Sequence, residues 1–179
     1  AGFFSFAHNY PGFAEETAAA FPVNKTVFCD PPALSQATAY VQLNIQQAFC
    51  DATLYLSSSG RKRIGLLLAS GFTATPSQLD REHGWRKALK LANLPVTKSL
   101  IGRYSLEDFH SAEDMFPEIE RLVKKEKIDA LLCNNDQAAF AAQVCLEKLG
   151  VGIPDDIALI GCDNTEYAQI LGLSSIDDE

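Results

Sequence analysis

Residues 128–165 (IDALLCNNDQAAFAAQVCLEKLGVGIPDDIALIGCDNT) limit the possible folds of this chain more than any other stretch. Two short apolar runs, residues 130–133 and 157–162, flank a segment with helical spacing, which is typical of a strand–helix–strand unit. Such strands lie parallel and are joined by a right-handed crossover. The polar clusters that follow the two runs, residues 134–136 and 163–165, are therefore expected at the carboxyl edge of one sheet, where open parallel sheets bind ligands.

Apolar runs and helical periodicity alternate along the rest of the chain and predict an α/β fold with parallel sheet. Residues 64–68 (IGLLL) are almost wholly apolar, which is typical of a strand covered by helices on both faces. Capping patterns predict helix starts at Asn44, Thr75 and Ser105. The predicted strands are residues 2–7, 23–29, 40–43, 64–68, 99–103, 130–133, 157–162 and 173–176, and the predicted helices include residues 13–20, 44–59 and 166–170.

Charge and cysteine content restrict the class of protein. The 179 residues carry a formal net charge of −8 without a long Lys or Arg run, so the chain by itself is a poor nucleic-acid binder. The five scattered cysteines form no CxxC pair, which favours small buried side chains in a reducing, cytoplasmic compartment over disulfides or a zinc site. No apolar stretch is long enough to span a membrane. Because the chain starts inside an apolar run without an initiator methionine, we interpret it as a fragment of a longer protein.

Motifs of the common enzyme classes are absent from the sequence. There is no GxxxxGK[ST] loop, no GxGxxG after a strand, no Gly-x-Ser-x-Gly elbow and no HExxH pair. We therefore predict no catalytic residue, no metal site and no cofactor. Asn, Asp and Arg side chains at strand ends remain, and their directional hydrogen bonds to hydroxyl groups suit a polar ligand such as a sugar.

Three polar residues are the candidates for ligand contact at this edge. Asn135 and Asp163 each follow a predicted strand, although either side chain can instead cap the helix beside it. Arg81 shares a helix face with Trp85, one turn nearer the helix start, and can pair with ligand oxygens or extend to a surface carboxylate. Their neighbours are interpreted as caps and supporting groups: Asn134, Asp136 and Asn164.

Several motifs together resemble the effector-binding core of the lactose-repressor (LacI/GalR) family of bacterial transcription regulators. The Asn135-Asp136 pair combined with the later phrase IPDDIALIGCDN is specific to this group, whereas either half alone is a weak signal. The resemblance covers most of the chain and is strongest from about residue 60 onward. The matching segments are residues 81–89 (REHGWRKAL), 135–137 (NDQ), 149–160 (LGVGIPDDIALI), 161–164 (GCDN) and 173–176 (LSSI).

The resemblance implies a periplasmic-binding-protein-like fold of type I, with two Rossmann-like lobes of parallel sheet around a cleft. Residues 1–61 would form part of an incomplete N-terminal lobe, residues 62–162 the C-terminal lobe, and residues 163–179 a segment returning toward the N-terminal lobe. It also implies truncation at both ends, without the helix-turn-helix headpiece. The sequence departs from the family at residues 60–63, where GRKR replaces Gly-His-x-x, and at Cys162 and Asn164, where the family more commonly has an aromatic residue and Asp.

By the same resemblance, Arg81, Asn135 and Asp163 match positions that hydrogen-bond an effector sugar. Asn9, Asp30 and Phe109 match further cleft positions, with Phe109 as a stacking ring. The residues themselves leave open that Phe109 belongs to an apolar helix face and that Asn9 only forms a turn.

The implied function is that of the ligand-sensing and dimerisation domain of a cytoplasmic transcription regulator. A small, saccharide-like effector would bind between the lobes of a homodimer and control operator DNA binding through the headpiece that this chain lacks. The alternative is a periplasmic sugar-binding protein of a transporter, against which the cysteines and the IPDDIALIG phrase count. An enzyme on a Rossmann-like sheet is a third hypothesis, which the missing motifs disfavour.

Overall fold

Strands and helices alternate along the chain, in agreement with the predicted α/β class. The computed structural model describes residues 2–6, 20–29, 39–41, 43–70, 76–105 and 110–177. The strands are β1 (Phe3–Phe6), β2 (Thr26–Cys29), β3 (Tyr40–Val41), β4 (Ile64–Ser70), β5 (Ile101–Ser105), β6 (Ala130–Cys133), β7 (Ala158–Cys162) and β8 (Ser174–Ile176). The helices are α1 (Ile45–Ser58), α2 (Pro76–Leu91), α3 (Phe116–Glu120), α4 (Asp136–Lys148) and α5 (Glu166–Leu171).

The described strands form two parallel sheets. Strands β1, β2 and β3 make a three-stranded sheet in that order. The other strands make a five-stranded sheet in the order β5-β4-β6-β7-β8, and every neighbouring pair is parallel. Because all five strands point the same way, the segments that follow β6 and β7 leave the sheet at the same edge. The predicted strand–helix–strand unit of β6, α4 and β7 is therefore confirmed.

The main core surrounds the five-stranded sheet. Every residue of β4 from Ile64 to Ala69 is buried, as expected for a parallel strand covered on both faces. Helices α1 and α2 cross so closely at Gly84 that an added Cβ would lie 2.1 Å from the carbonyl oxygen of Gln46. Trp85 is fully buried, and its Nε1 donates to the carbonyl oxygen of Ile64 at 3.2 Å, so its one polar atom is satisfied.

The start of the helical segment after β5 differs from the prediction. Ser105 is the last residue of β5, and the described helical turns begin only with the 3-10 helix Ala112–Met115. The carboxylate of Asp114 accepts the backbone N–H of Ser111 at 2.9 Å, so Ser111 caps these turns, while residues 106–109 after the predicted cap at Ser105 lie outside the described residues. Helix α3 follows and continues into a π-helical turn at Arg121–Lys125.

Two other predicted elements are changed or lie outside the described residues. The first part of the predicted strand at residues 23–29 is a 3-10 helix, Val23–Lys25, and only Thr26–Cys29 pair with β1. The predicted helix at residues 13–20 lies outside the described residues except for its last position. Helix α1 begins as predicted, because the Asn44 side chain accepts the backbone N–H of Gln47 at 3.2 Å.

The contacts of two segments bear on the predicted division into lobes. Helix α1, which precedes the predicted boundary at residue 61, packs against α2 and also contacts β4 and β6 of the five-stranded sheet. The segment after residue 162, predicted to return toward the first lobe, contributes β8 to that same sheet as far as Ile176. The division into two lobes stays a prediction. In the structure, both segments contact the five-stranded sheet.

Four cysteines are free and buried, as the sequence predicts: Cys50, Cys133, Cys145 and Cys162. Burial raises the pKa of the Cys133 thiol well above its ordinary value, which keeps it in the neutral form. Within the described part of the chain, no helix is long and apolar enough to cross a membrane.

Candidate functional site

Arg81 links helix α2 to the turn that follows β6. It lies half-buried in the second turn of α2, and its Nε donates to the carbonyl oxygen of Asn134 at 3.2 Å. Its Cζ lies 5.4 Å from the ring centroid of Phe49 in α1, within the range of a cation–π contact. Contacts from two other elements thus hold the guanidinium at the carboxyl edge of the five-stranded sheet.

Asn134 connects three further elements at this edge. Its backbone N–H donates to the carbonyl oxygen of Leu67 in β4 at 3.0 Å. Its side-chain Oδ1 accepts the hydroxyl of Tyr104 in β5 at 3.1 Å, while its carbonyl oxygen accepts from Arg81. Only 6% of the Asn134 surface is exposed, so Asn134 is a buried residue that holds Arg81 and Tyr104 in place, which agrees with its predicted supporting role.

Tyr104 belongs to this cluster, although sequence reasoning does not single it out. Its side chain is 6% exposed, and burial raises its pKa to about 12. The charge of Arg81 lowers this pKa and the charge of Asp163 raises it, both by less than burial does. In the sequence, the charged Arg103 between Gly102 and Tyr104 indicates that Tyr104 faces inward, and the structure agrees, with Arg103 exposed and Tyr104 buried.

Asn135 is the N-cap of helix α4. It has extended backbone, and its side-chain Oδ1 accepts the backbone N–H of Ala138 at 2.8 Å. The capping alternative considered for Asn135 is therefore realised. The cap uses only the amide oxygen, so the amide nitrogen keeps two N–H donors for another acceptor at the same edge.

Asp163 lies at the end of β7 with an exposed side chain. Its φ of +94° falls in a region that non-glycine residues rarely adopt. The backbone is held there by a hydrogen bond from the N–H of Asp163 to the carbonyl oxygen of Ile176 in β8, at 3.0 Å. Asp163 leaves the sheet at the same edge as Asn135, because the strand register pairs Leu132 with Ile160 just before these two turns.

Asp136, the first residue of α4, stabilises the turn that follows β7. Its carboxylate accepts the backbone N–H of Thr165 at 2.7 Å, the hydroxyl of Thr165 at 2.9 Å and the hydroxyl of Ser175 at 2.6 Å. Only 2% of Asp136 is exposed, so its carboxylate is a buried acceptor for Thr165 and Ser175. This agrees with its predicted supporting role.

The remaining predicted contacts, Asn9, Asp30 and Phe109, lie outside the described residues. The described part of the site therefore consists of one wall, built by the ends of β5, β6 and β7 with the start of α2. That wall offers the guanidinium of Arg81, the amide of Asn135 and the exposed carboxylate of Asp163, while the Tyr104 ring is buried. Among the described residues, no group of three or more His, Cys, Asp and Glu side chains is placed to hold a metal ion.

Comparison with known proteins identifies relatives over most of the chain. Residues 53–177 match a family model described as a periplasmic binding protein-like domain. The chain is 31% identical over 136 residues to the HTH-type transcriptional repressor PurR of Photobacterium profundum, covering 75% of this chain and 39% of that protein. It is 32% identical over 122 residues to the HTH-type transcriptional regulator DegA of Bacillus subtilis, covering 67% and 34%. The chain thus spans less than half the length of these relatives.

Solved structures share the fold. A regulatory protein of the LacI family from Chloroflexus aggregans superposes with a TM-score of 0.79 at 24% identity, over 97% of this chain and 61% of that one. A LacI family transcriptional regulator from Silicibacter pomeroyi gives a TM-score of 0.75 at 20% identity, over 98% and 64%. The periplasmic-binding-protein-like fold expected from the sequence is confirmed.

Proposed function

The chain belongs to the periplasmic binding protein-like domain family, in the group found in lactose-repressor family transcription regulators, and on that premise we propose that it is the effector-binding domain of such a regulator. The full protein would bind a small polar effector, a sugar or sugar derivative, in a cleft between two lobes. The effector would control operator binding by a helix-turn-helix headpiece in a cytoplasmic homodimer. The relatives' names, repressor and regulator, favour this proposal over a transport protein.

One observation carries the choice of ligand class. The Arg81 guanidinium is brought to the sheet edge by its hydrogen bond to the turn after β6, and Asp163 by its place at the end of β7. A cation and an anion at one edge suit a ligand with several hydroxyl groups, because a hydroxyl can donate to the carboxylate and accept from the guanidinium. These groups support a sugar or sugar derivative as the ligand class.

The roles of the three candidate contacts follow from their chemistry. Asp163 would accept hydrogen bonds from effector hydroxyls, each worth about 1.5–3 kcal/mol because the acceptor is charged. Arg81 would donate to a hydroxyl or ring oxygen from a guanidinium that its contact with Phe49 already orients. Asn135 would donate from its amide nitrogen while its oxygen continues to cap α4.

The coupling to DNA binding would depend on the two lobes. Residues 1–61 would supply the opposite wall of the cleft and residues 62–162 most of the wall described above. Residues 163–179, which begin with the wall residue Asp163, would form the return segment. An effector that contacts both walls binds one lobe arrangement more tightly and shifts the equilibrium by that difference in affinity. Asn9 and Asp30 on the first lobe and Phe109 on the second would complete the contacts.

Calorimetric titration of the full-length regulator tests the proposal. The compounds are D-glucose, D-ribose, cellobiose and glucose 6-phosphate, here called the saccharide panel. We expect at least one to bind, and Asp163→Ala to weaken that binding at least tenfold through the loss of a charged acceptor. Asp155→Ala is the matched control, because Asp155 is also exposed but lies before β7, away from the carboxyl edge.

Two results would contradict the proposal at different points. If the panel gives no heat with the wild-type regulator, the saccharide class is wrong. If a panel compound binds wild type and Asp163→Ala equally well, the ligand class survives and the site assignment is wrong.

A further inference from the structure

The turn at residues 163–165 has two consecutive non-glycine residues with positive φ. The φ values of Asp163 and Asn164 are +94° and +42°. Asp and Asn adopt positive φ more readily than other non-glycine residues, but the conformation is uncommon and persists where the surrounding structure determines it. The groups that hold this turn in place therefore also set the backbone position from which the Asp163 side chain extends.

Those groups form one hydrogen-bonded chain from α4 to β8. The hydroxyl of Ser175 donates to Oδ1 of Asp136 at 2.6 Å and accepts the backbone N–H of Asn164 at 3.0 Å. The other carboxylate oxygen, Oδ2 of Asp136, accepts both the backbone N–H and the hydroxyl of Thr165. Ser175 and Asp136 thus fix the two residues that directly follow Asp163.

The Asp136 carboxylate, which accepts these hydrogen bonds, is closely packed. Asp136 is 2% exposed and packs closely against the backbone of β7 at Gly161. A Cβ added at Gly161 would lie only 2.3 Å from Oδ1 of Asp136. Buried in this way, its hydrogen bonds are stronger than they would be in water. A rigid carboxylate on α4 is thus the fixed point to which the turn and β8 are both attached.

We propose that Asp136 and Ser175 are positioning residues that hold Asp163 in its ligand-facing conformation and make effector affinity depend on the pairing of β8. This inference rests on the proposed function for the ligand, but the hydrogen-bonded chain itself can be tested without one. Strand β8 and the residue after it take part as well, because the backbone N–H of Asp163 donates to the carbonyl oxygen of Ile176 and the side-chain amide of Asn164 donates to the carboxylate of Asp177, each at 3.0 Å. By reciprocity, an effector held by Asp163 stabilises the pairing of β8 with β7.

The first experiment measures amide hydrogen exchange in the ligand-free, full-length regulator. In Ser175→Ala the Asn164 N–H loses its acceptor, and we expect the exchange of Asn164 and Thr165 to accelerate at least tenfold. Ser175→Thr keeps the hydroxyl and should retain protection. Ser174→Ala is the matched control, a neighbouring serine of β8 with an exposed side chain. Unchanged exchange in Ser175→Ala overturns the proposal.

The second experiment titrates the same variants with the saccharide panel. We expect Ser175→Ala to weaken binding about tenfold, and Ser174→Ala and Ser175→Thr to bind like wild type. In an Asp163→Ala background, Ser175→Ala should have no further effect, because it acts through Asp163. A full, additive loss in that background overturns the positioning role. If wild type binds no panel compound while exchange changes as expected, the saccharide proposal fails and the hydrogen-bonded chain stands.

Discussion

The two polar turns at the carboxyl edge are held in different ways. After β6, Asn135 has ordinary extended backbone and caps its own helix, three residues from the group it bonds. After β7, Asp163 and Asn164 both have positive φ, and their backbone N–H groups bond to β8, eleven or more residues away in the sequence. The first turn is determined locally, whereas the second depends on distant residues.

This difference predicts where substitutions act. A substitution in the turn after β6 should lower the free energy of unfolding by about as much as the loss of a helix cap, without affecting other elements. A substitution among the groups that hold the turn after β7 should lower it more, because a buried carboxylate, a backbone with positive φ and an edge strand depend on one another.

Gly161→Ala should give the largest loss of stability among these substitutions. Its Cβ would lie 2.3 Å from Oδ1 of Asp136 and 3.1 Å from the Asp136 backbone, so the start of α4 must move. We expect a loss of about 3 kcal/mol in the free energy of unfolding, measured by urea denaturation. Gly65→Ala is the control, since its nearest neighbours are flexible side-chain ends at 3.2 Å or more. If both variants lose the same free energy of unfolding, the close contact between Gly161 and Asp136 is not the cause of the loss.

Asp136→Asn should follow, with a loss of about 2 kcal/mol in the free energy of unfolding. An amide has one acceptor oxygen and two N–H donors, so it cannot accept from Thr165 and Ser175 together, and one of these hydrogen bonds must be lost or reversed. The amide exchange of residues 163–165 should accelerate with it. A stable variant with unchanged exchange would show that the second turn does not need the carboxylate.

High pH should weaken the site through Tyr104. Its folded-state pKa of about 12 exceeds the ordinary value of 10.0, so the neutral phenol stabilises the fold fully below about pH 10, and this contribution is lost as the pH rises through 12. Between about pH 9 and 11, wild type should lose about 1.4 kcal/mol more stability than Tyr104→Phe. Urea melts at each pH measure this, and tyrosinate absorbance reports the ionisation. Identical pH slopes would show that Tyr104 is not buried as described.

Asn135→Ala should have the smallest effect on stability, about 1 kcal/mol in the free energy of unfolding, because one N-cap hydrogen bond is lost. Asn135→Asp keeps a capping oxygen and should restore most of that stability. The pair also separates the two roles of Asn135. If Asp restores stability but not binding of a panel compound, the amide nitrogen contacts the effector; if it restores both, Asn135 is only a cap.

Sequence reasoning predicts the locally determined features well. Apolar runs and capping patterns locate β4, β6 and β7, the start of α1 at Asn44 and the sheet edge that carries Asp163. These features depend on periodicity and on groups a few residues apart. The first turn of the helix expected from Ser105 lies outside the described residues, and the described helical turns start at a second capping pair, Ser111 and Asp114.

Features that depend on distant residues are beyond such reasoning. Tyr104 enters the site through a hydrogen bond to a residue 30 positions away, and Ser175 reaches Asp136 across 39. Nothing in the local sequence around β8 distinguishes Ser175 from Ser174. Strand order and burial decide that only one of these serines faces the carboxylate.

The position of Trp85 has a practical consequence. It is the one tryptophan in the sequence, fully buried, one helical turn from Arg81 and with the Arg86 guanidinium 5.6 Å from its ring centroid. Trp85 is thus an intrinsic fluorescence probe. Its indole is buried away from water and lies close to Arg81, which is expected to bind the ligand. A change in its emission on addition of a compound would report occupancy without any label, and the same signal would follow unfolding of the surrounding core.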